Sequence, residues 1–243
     1  MRINKYFTDQ GYCSRREADR LIEAGRVQIN GKTAKLGDQV SLEDVVTLDR
    51  KKIDQKQPAI YIMYNKPFGV TCTTDLKTPK NIIESINFPQ RVFPIGRLDK
   101  PSTGLIFLTN DGDIVNKILR AQYGHEKEYE VEVNAEFPQE FLKKMSSGVN
   151  IGGYITKPCK IKRLAENKFS IILTEGKNRQ IRRMTEACGF KVKRLHRIRI
   201  MNVKIADLAE GQWQEIPAAE MLELKNILDK QPNNPAPELD IEE

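Results

Sequence analysis

The sequence has few of the residues that build metal sites and disulfide frameworks. It contains only four cysteines and two histidines in 243 residues. None of the cysteines belongs to a C-x-x-C pair: Cys13, Cys72, Cys159 and Cys188. The histidines, His125 and His196, are far apart. We therefore predict neither a zinc site nor a disulfide framework, and each Cys is most simply a small buried residue in a reducing compartment.

Long apolar segments are also missing. No apolar run approaches the roughly 20 residues needed to span a bilayer. The first six residues, Met1 to Tyr6, lack the apolar core of a signal peptide. Hydrophobic residues make up 39% of the chain and charged residues 30%, which is typical of a soluble protein. We expect a cytoplasmic protein with no membrane association, large enough for one medium domain plus a small one.

Positive charge is distributed unevenly along the chain. The formal net charge is +7, but residues 155–200 alone contain fourteen Lys or Arg against three Glu. A basic block inside a folded domain predicts a polyanionic partner, usually nucleic acid, whereas a solvated charged face is the alternative interpretation. The last thirteen residues, 231–243, are Pro-rich, with four acids and no base. They are predicted to be a disordered acidic tail.

Residues 1–48 are predicted to form a small separate module. Ser14 and Glu17 have capping-box spacing at the start of an amphipathic helix, and Gly25 lies where a left-handed C-terminal cap is expected. The alternating segment that follows contains Asn30-Gly31, the strongest short signal of a β-hairpin. The pattern therefore predicts a helix followed by a hairpin.

A larger domain is predicted over residues 58–230, after a polar linker at 49–57 that lacks periodicity. The alternating run 127–133 predicts a half-buried strand, and 139–145 a helix. Another strand is predicted at 169–174. Strands and helices are intermixed along this domain, and no repeat of fixed period is visible.

Asp99 lies in a tight polar turn between the apolar runs 92–95 and 105–108. A carboxylate on a short loop between two buried segments is held by the scaffold yet open to a substrate, and catalytic groups often lie in such places. On these features alone, a solvated turn residue is the more common interpretation.

A second segment of interest begins at Glu175. Asn178 can cap a helix that runs to Gly189. Four charged residues share one face of that helix at i, i+3, i+4 and i+7: Arg179, Arg182, Arg183 and Glu186. The alternative is an amphipathic helix whose basic side is merely solvated.

These segments together resemble one family. Residues 96–112, beginning Gly-Arg-Leu-Asp and ending Thr-Asn-Asp-Gly, resemble the signature of the RsuA/RluB/RluE/RluF family of RNA pseudouridine synthases. Asn65-Lys66-Pro67-Phe68-Gly69 resembles the first block of that family, and 175–184 a later one. Residues 1–48 resemble an S4 RNA-binding domain. The similarity covers residues 1 to about 225 and is greatest to the RluF type, which acts on 23S rRNA.

The resemblance implies an α+β fold, in which a small N-terminal S4 domain precedes a catalytic domain with a mixed, mainly antiparallel sheet flanked by helices. It implies an isomerase that converts one uridine to pseudouridine in 23S rRNA, with a tRNA as a second candidate substrate. The substrate could be free rRNA or a ribosome assembly intermediate, and the protein is expected to be a monomer. The reaction needs neither cofactor nor metal.

The resemblance also implies the catalytic residues. Asp99 corresponds to the catalytic carboxylate, Arg182 to the cation that pairs with it, Tyr129 to a pocket tyrosine and Leu195 to an aliphatic residue packed beneath. Tyr129 has an alternative interpretation as a core tyrosine of a strand, and for Leu195 a plain core residue is the stronger alternative. The target nucleotide must be flipped out of its stack. The carboxylate could attack C1′ or remove the C2′ proton, and the sequence leaves both routes open.

Eleven basic residues are implied to bind RNA. Five belong to the S4 module: Arg15, Arg16, Arg20, Arg26 and Lys32. Six belong to the catalytic domain: Arg97, Arg179, Arg183, Lys193, Arg194 and Arg197. A solvent-facing charge is the alternative for each.

Two other classes of protein compete with this interpretation. An RNA-binding or ribosome-assembly factor would share the S4 module but would have no use for Asp99, Tyr129 and Arg182 together. An RNA methyltransferase would need a cofactor site, and the sequence has no Gly-x-Gly-x-x-Gly loop after a strand and no P-loop.

Overall fold

The computed structural model describes residues 1–41, 43–53, 58–120 and 123–230. These residues form two compact units. Within the described ranges, the first unit consists of residues 1–101, 106–116 and 208–215, and the second of residues 102–105, 117–207 and 216–230. The predicted acidic tail, 231–243, and part of the predicted linker, 54–57, lie outside the described residues.

The first unit begins with a module of two helices and four strands. They are α1 (Ile3–Asp9), α2 (Arg15–Glu23), β1 (Val27–Ile29), β2 (Lys32–Thr33), β3 (Val46–Leu48) and β4 (Lys51–Lys52). The strands form an antiparallel sheet in the order β2-β1-β3-β4. The predicted cap is confirmed, since the Ser14 hydroxyl accepts a hydrogen bond from the Glu17 amide at 3.1 Å. The predicted hairpin is confirmed too: Asn30 and Gly31, both with positive φ, join β1 to β2.

This module extends further along the chain than predicted. Strand β4 and Ile53 lie within the predicted linker 49–57, yet β4 pairs with β3. The Ile53 side chain is 4% exposed and belongs to the apolar core of the module. Its carbonyl accepts a hydrogen bond from the Tyr6 hydroxyl at 2.6 Å. A single buried isoleucine among polar neighbours has no periodicity, and so the pattern did not reveal it.

The rest of the first unit supports the loop that contains Asp99. Its elements are β5 (Tyr61–Lys66), α3 (Ile82–Ile86), β6 (Phe93–Ile95), the last four residues of β7 (Thr103–Thr109), the start of α4 (Gly112–Leu119) and β13 (Trp213–Glu215). β13 pairs antiparallel with β5, and β6 with β7. The Asp111 carboxylate caps α4 by accepting from the Asp113 amide at 2.9 Å.

The second unit contains five strands, the first of them in part, that pair side by side in one sheet. Besides the first three residues of β7, its elements are β8 (Lys127–Val133), α5 (Gln139–Ser147), β9 (Lys160–Ala165), β10 (Lys168–Leu173), α6 (Gln180–Ala187), β11 (Val192–Ile200), β12 (Val203–Lys204) and α7 (Ala218–Asp229). The strand order is β7-β11-β8-β10-β9. Only the β7–β11 pair is parallel among the pairs of this sheet. The predicted mixed, mainly antiparallel sheet is therefore confirmed.

Helices α5 and α6 pack on one face of this sheet. Phe141 and Met145 of α5 and Ile181 and Met184 of α6 share an apolar cluster with inward residues of β8, β10 and β11. Because this cluster buries the apolar stripe of each helix, it fixes the position of α6 on the sheet.

Two helices differ from the prediction. Helix α6 begins at Gln180 rather than after an Asn178 cap, because Arg179 precedes it in a left-handed conformation with φ +48°. Helix α7 was not predicted, since its apolar residues are spread around its circumference. No helix in the described part of the chain is long and apolar enough to cross a membrane.

Strands β7 and β11 approach each other closely at Gly104. This residue has φ +103°, and a Cβ built on it would lie 2.3 Å from the carbonyl oxygen of Arg197 and 2.6 Å from its amide nitrogen. The parallel register places Gly104 opposite Arg197. Only glycine meets both requirements, the backbone conformation and the close approach.

Replacement of Gly104 by alanine should destabilise the second unit severely. We expect Gly104→Ala to lower the free energy of unfolding by at least about 4 kcal/mol, because backbone atoms must shift to admit the Cβ. Gly153→Ala is the matched control: Gly153 has φ +85° but no atom within 4 Å of its Cβ position, and it should lose only about 1 to 2 kcal/mol. Urea unfolding followed by circular dichroism measures both. Equal losses would show that the close approach to Arg197 does not matter.

Candidate functional site

Asp99 lies in the loop between β6 and β7, within the first unit. The backbone is anchored on both sides of it. The Leu98 amide donates to Cys72 Sγ at 3.4 Å, and the Lys100 carbonyl accepts from the Gly69 amide at 2.9 Å. Leu98 is buried, whereas Asp99 is partly exposed. The loop thus holds its backbone in place and leaves the carboxylate side chain accessible.

The turn after β5 supports this loop, and a buried lysine supports the turn. Lys66 is fully buried, and its Nζ donates to the carbonyls of Pro67 and Val70, both at 2.9 Å. Since a buried ammonium needs oxygen acceptors, these bonds fix the course of residues 67–70. Lys66 belongs to the family block at 65–69, but the resemblance assigns it no part in this turn.

Arg182 lies in the second unit, on the buried side of α6. It is 8% exposed. Its Nη2 donates to the Ser102 hydroxyl at 3.1 Å, and its Nη1 lies 3.5 Å from the Val192 carbonyl oxygen. Ser102 is buried immediately before β7, three residues after Asp99 in the sequence. The guanidinium is therefore held at Ser102, directly before β7.

Tyr129 and Leu195 lie on neighbouring strands and face the same way. In the register of β8 and β11, Tyr129 is opposite Arg197 and Val131 is opposite Leu195. Alternate residues of a strand share a face. Tyr129 and Leu195 belong to the same apolar cluster as Ile181 of α6. The second unit thus brings Tyr129 and Leu195 to the helix that carries Arg182, whereas Asp99 belongs to the first unit.

A buried arginine lies beside Tyr129, and a half-buried lysine lies two residues before Tyr129 on the same strand. Arg197, expected to contact RNA, is only 4% exposed, and its Nε donates to the Leu105 carbonyl at 2.6 Å. Its guanidinium carbon lies 6.0 Å from the centre of the Tyr129 ring, within cation–π range. Burial, aided by the positive charge of Arg197, lowers the pKa of Lys127 to about 8. Lys127 was not predicted; its spacing of two residues from Tyr129 was the available signal.

The basic residues of the S4 module differ in their surroundings. Arg26 donates to both carboxylate oxygens of Asp49, and Arg20 pairs with Glu17 at 3.2 Å. Within the described part of the S4 module, three predicted RNA-binding side chains are exposed and have no hydrogen bond or ion pair: Arg15, Arg16 and Lys32. These three can therefore contact phosphate without breaking an existing pair.

The predicted RNA-binding residues outside the S4 module do not all face the same way. Arg97, Arg179 and Lys193 are exposed, whereas Arg183 is half-buried and donates to the Ile151 carbonyl. Arg194 adjoins Leu195 in β11 but points to the opposite face of the sheet. There it lines a shallow cavity with Glu130, Glu132, Leu164, Lys168 and His196. The structure therefore does not bring Arg194 to the face that carries Tyr129.

A buried carboxylate fixes the start of α6. Glu175 accepts from the Tyr154 hydroxyl at 2.6 Å, the Lys157 amide at 3.0 Å and the Gln180 side chain at 2.8 Å. Burial opposes ionisation of Glu175, but these three hydrogen bonds outweigh it and hold its pKa below the ordinary value. Because Gln180 is the first residue of α6, the network positions the helix that carries Arg182.

The described residues contain no group of three or more His, Cys, Asp or Glu side chains that could hold a metal ion.

Comparison with known families defines the class of protein. Residues 60–187 match a family model described as RNA pseudouridylate synthase, and residues 1–46 match the S4 domain. The match of residues 60–187 covers more than half of the chain. The protein is thus an RNA pseudouridine synthase with an N-terminal S4 RNA-binding domain.

Similarity to individual proteins shows to which family of pseudouridine synthases the chain belongs. The chain is 49% identical over 231 residues to the dual-specificity RNA pseudouridine synthase RluF of Escherichia coli (strain K12), covering 94% of this chain and 80% of that one. It is 33% identical over 237 residues to the ribosomal large subunit pseudouridine synthase B of Bacillus subtilis (strain 168), covering 94% and 97%. A crystal structure of a pseudouridylate synthase matches with a TM-score of 0.67 at 28% identity, over 92% of this chain and 99% of that one. The chain belongs to the RsuA/RluB/RluE/RluF family, as the sequence predicted.

Removal of the Glu175 charge should lower the free energy of unfolding by an amount that depends on pH. A carboxyl group with a depressed pKa stabilises the fold above its ordinary pKa and stops doing so as pH falls through its folded value. We expect Glu175→Gln to lower the free energy of unfolding at pH 7 by about 1 to 3 kcal/mol. The deficit should begin to shrink below about pH 4.5, the ordinary pKa at which the carboxyl of the unfolded chain takes up a proton, and should shrink further as pH falls through the lower pKa of the folded state.

Urea unfolding at pH 7 and pH 4 measures this difference. Glu166→Gln, at an exposed position of the same unit, is the matched control and should change little at either pH. A Glu175→Gln deficit that is the same at both pH values would contradict the assigned ionisation.

Proposed function

We propose that this protein converts a specific uridine of 23S rRNA to pseudouridine, and that a tRNA is a second substrate. Two relatives support the substrates by their names: one acts on the ribosomal large subunit, and the other has dual specificity. The excess of basic residues at 155–200 supports a polyanionic partner. We further propose that the protein acts as a monomer in the cytoplasm, on free rRNA or on an assembly intermediate.

In this proposal the two domains have different roles, RNA binding and catalysis. Residues 1–48, together with β4 and Ile53, form the S4 module, and we assign it to RNA affinity. Residues 58–230 form the catalytic domain, which we assign to nucleotide flipping and chemistry. Exposed arginines at 15 and 16, with no ion pair among the described residues, support the first assignment. Arg97, Arg179 and Lys193 are exposed in the catalytic domain and are the cations we assign there to backbone phosphates.

Asp99 is the catalytic carboxylate in this proposal, and Arg182 is the cation that stabilises its ionised form. The observation that carries the assignment is the hydrogen bond from Arg182 to Ser102 at 3.1 Å. Ser102 follows Asp99 by three residues, and a segment of that length spans at most about 11 Å. A buried guanidinium at this point is well placed to stabilise a carboxylate on the preceding loop.

The chemistry explains why a carboxylate is needed. The bond between C1′ and N1 of the uridine breaks, the base turns, and C1′ bonds to C5 of the same base. The proton lost from C5 is balanced by the one gained at N1, so that the product is an isomer. Asp99 acts at C1′ as a nucleophile or at C2′ as a base, and both routes require its ionised form.

Tyr129 and Leu195 complete the proposed site. Tyr129 is assigned to stacking on the uracil ring and to proton transfer at C5, and Leu195 to packing beneath it. Their shared face on β8 and β11 supports this assignment, as does their place in the same cluster as Ile181 of α6. Arg197 and Lys127 add positive charge beside Tyr129, where negative charge develops on the departing uracil.

Replacement of Asp99 should abolish turnover while preserving RNA binding. We expect Asp99→Ala and Asp99→Asn to reduce pseudouridine formation at least about 10⁴-fold, because no other group can take over a covalent or general-base role. The measurement is carbodiimide-dependent primer-extension mapping of 23S rRNA and tRNA from a strain that lacks the protein, complemented with each variant.

Asp75→Asn serves as the control, since Asp75 is an exposed carboxylate on another turn of the same unit. Asp75→Asn should restore the same primer-extension stop at the modified uridine as the wild type. A stop restored by Asp99→Ala would refute the catalytic assignment. If no stop depended on the protein at all, an RNA-binding or ribosome-assembly role would become the better proposal.

Removal of Arg15 and Arg16 should weaken RNA binding without affecting the chemistry. For single-stranded RNA, the slope of log Kd against log salt concentration falls by about 0.7 for each phosphate that the protein no longer neutralises. The Arg15→Ala/Arg16→Ala double variant should therefore lower that slope by about 1.4, with kcat unchanged. Filter binding to 23S rRNA at several salt concentrations measures it. Lys77→Ala/Lys143→Ala, which removes two exposed lysines outside the S4 module, is the control; an equal decrease there would argue against a specific RNA-binding surface on α2.

A further inference from the structure

The turn after β5 presents an aromatic ring to solvent. Phe68 is 68% exposed, among the most exposed of the large apolar side chains in the described part of the protein. Exposure of a phenyl ring to water is unfavourable, and an exposed aromatic in a functional region commonly marks a binding surface. The family resemblance assigns no role to this side chain.

Phe68 projects from a turn that is held in place from several directions. Its own amide donates to the Glu210 carboxylate at 3.1 Å, and the next amide, of Gly69, donates to the Lys100 carbonyl at 2.9 Å. Below the turn, the buried Lys66 ammonium holds the carbonyls on either side of it. Gly69 has φ +83°, a conformation that favours glycine and fixes the reversal of the chain. The ring is therefore exposed because the turn directs it outward.

The same bonds place the ring beside the proposed catalytic loop. Lys100, which accepts from Gly69, is the residue directly after Asp99. Lys100 and Arg97, on the two sides of Asp99, are both exposed. Phe68, Asp99 and these two cations all belong to the first unit. An aromatic face flanked by exposed cations is the arrangement that binds unpaired nucleic acid, through stacking on the base and attraction of the phosphate.

We propose that Phe68 is a stacking platform for an unpaired RNA base adjacent to the uridine that is flipped towards Asp99. The inference rests on the proposed function and adds a binding residue to it. Flipping removes a base from its stack and leaves its neighbours without a stacking partner. A ring on a turn whose backbone is held next to the proposed catalytic loop replaces that partner. Because the stack requires only a π-face, Phe68 contributes affinity for any neighbouring base rather than sequence readout.

Substitutions at Phe68 test the proposal on rRNA from a strain that lacks the protein. Loss of one stacked base should weaken RNA binding about 5- to 150-fold. We expect Phe68→Ala to raise Kd and lower kcat/KM for pseudouridine formation within that range, and Phe68→Tyr to restore both. Leu76→Ala, which removes another highly exposed apolar side chain of the same unit, should leave both unchanged.

A fluorescence measurement tests stacking independently of turnover. In Phe68→Trp, the new indole should be quenched in a saturable way by poly(U), beyond the response of the wild type, which contains a single tryptophan, Trp213. Quenching together with the Phe68→Ala defect supports the proposal. Unchanged Kd in Phe68→Ala, or an indole indifferent to poly(U), overturns it and leaves the ring free for a protein partner.

The two proposals can fail separately. If the wild type forms no pseudouridine in 23S rRNA or tRNA, the proposed function is wrong, and saturable quenching by poly(U) alone decides whether Phe68 stacks on RNA. If Asp99→Ala is inactive while Phe68→Ala matches the wild type in Kd and kcat/KM, the proposed function stands and the stacking proposal falls.

Discussion

The close approach of β7 to β11 at Gly104 is the constraint on which the rest of the second unit depends. A Cβ at that position would overlap the Arg197 backbone at 2.3 Å. With glycine there, the parallel register fixes which residues of β11 oppose β7, and the antiparallel register with β8 then sets Leu195 opposite Val131. Helix α6 packs on the same face, so the position of Arg182 follows from this one close approach through the sheet.

Buried cations recur through the structure, and each is stabilised by oxygen acceptors rather than by solvent. Lys66 donates to two turn carbonyls, Arg182 to a serine hydroxyl, and Arg197 to the Leu105 carbonyl. Removing such a charge from water is unfavourable unless its hydrogen bonds are replaced. The three buried cations lie at three places: Lys66 beneath the turn after β5, Arg182 at the start of β7, and Arg197 beside Tyr129. A protein that needed these cations only for solubility would leave them on the surface.

Local patterns predicted local structure well, and the reasons for the failures are physical. The Ser14 cap, the Asn30-Gly31 hairpin and the strand at 127–133 are short-range features, decided by residues a few positions apart. The faces of β11 could not be predicted, because its register with β8 shifts between Val192 and Arg194 and again between Arg197 and Arg199. Such irregularities interrupt the alternation from which a face is inferred. Between the two shifts the alternation is regular, so Arg194 and Arg197, three positions apart, lie on opposite faces and differ in burial. The site residues are proposed through family resemblance, since no local pattern links Asp99 to Arg182.

Tyr129 and Phe68, for which we propose different roles, also differ in their surroundings. Tyr129 is partly buried in an apolar cluster, with the Arg197 guanidinium near its ring. Such a low-dielectric environment strengthens electrostatic effects on a reacting base, and chemistry benefits from it. Phe68 stands in water on a turn whose backbone is bonded at Glu210 and Lys100. Stacking on a base can take place at a solvent-exposed surface. It is stronger when the backbone that carries the ring is already fixed, since a mobile segment would lose more entropy on binding. The rigid backbone beneath Phe68 is therefore the feature that distinguishes a binding platform from an incidental surface phenylalanine.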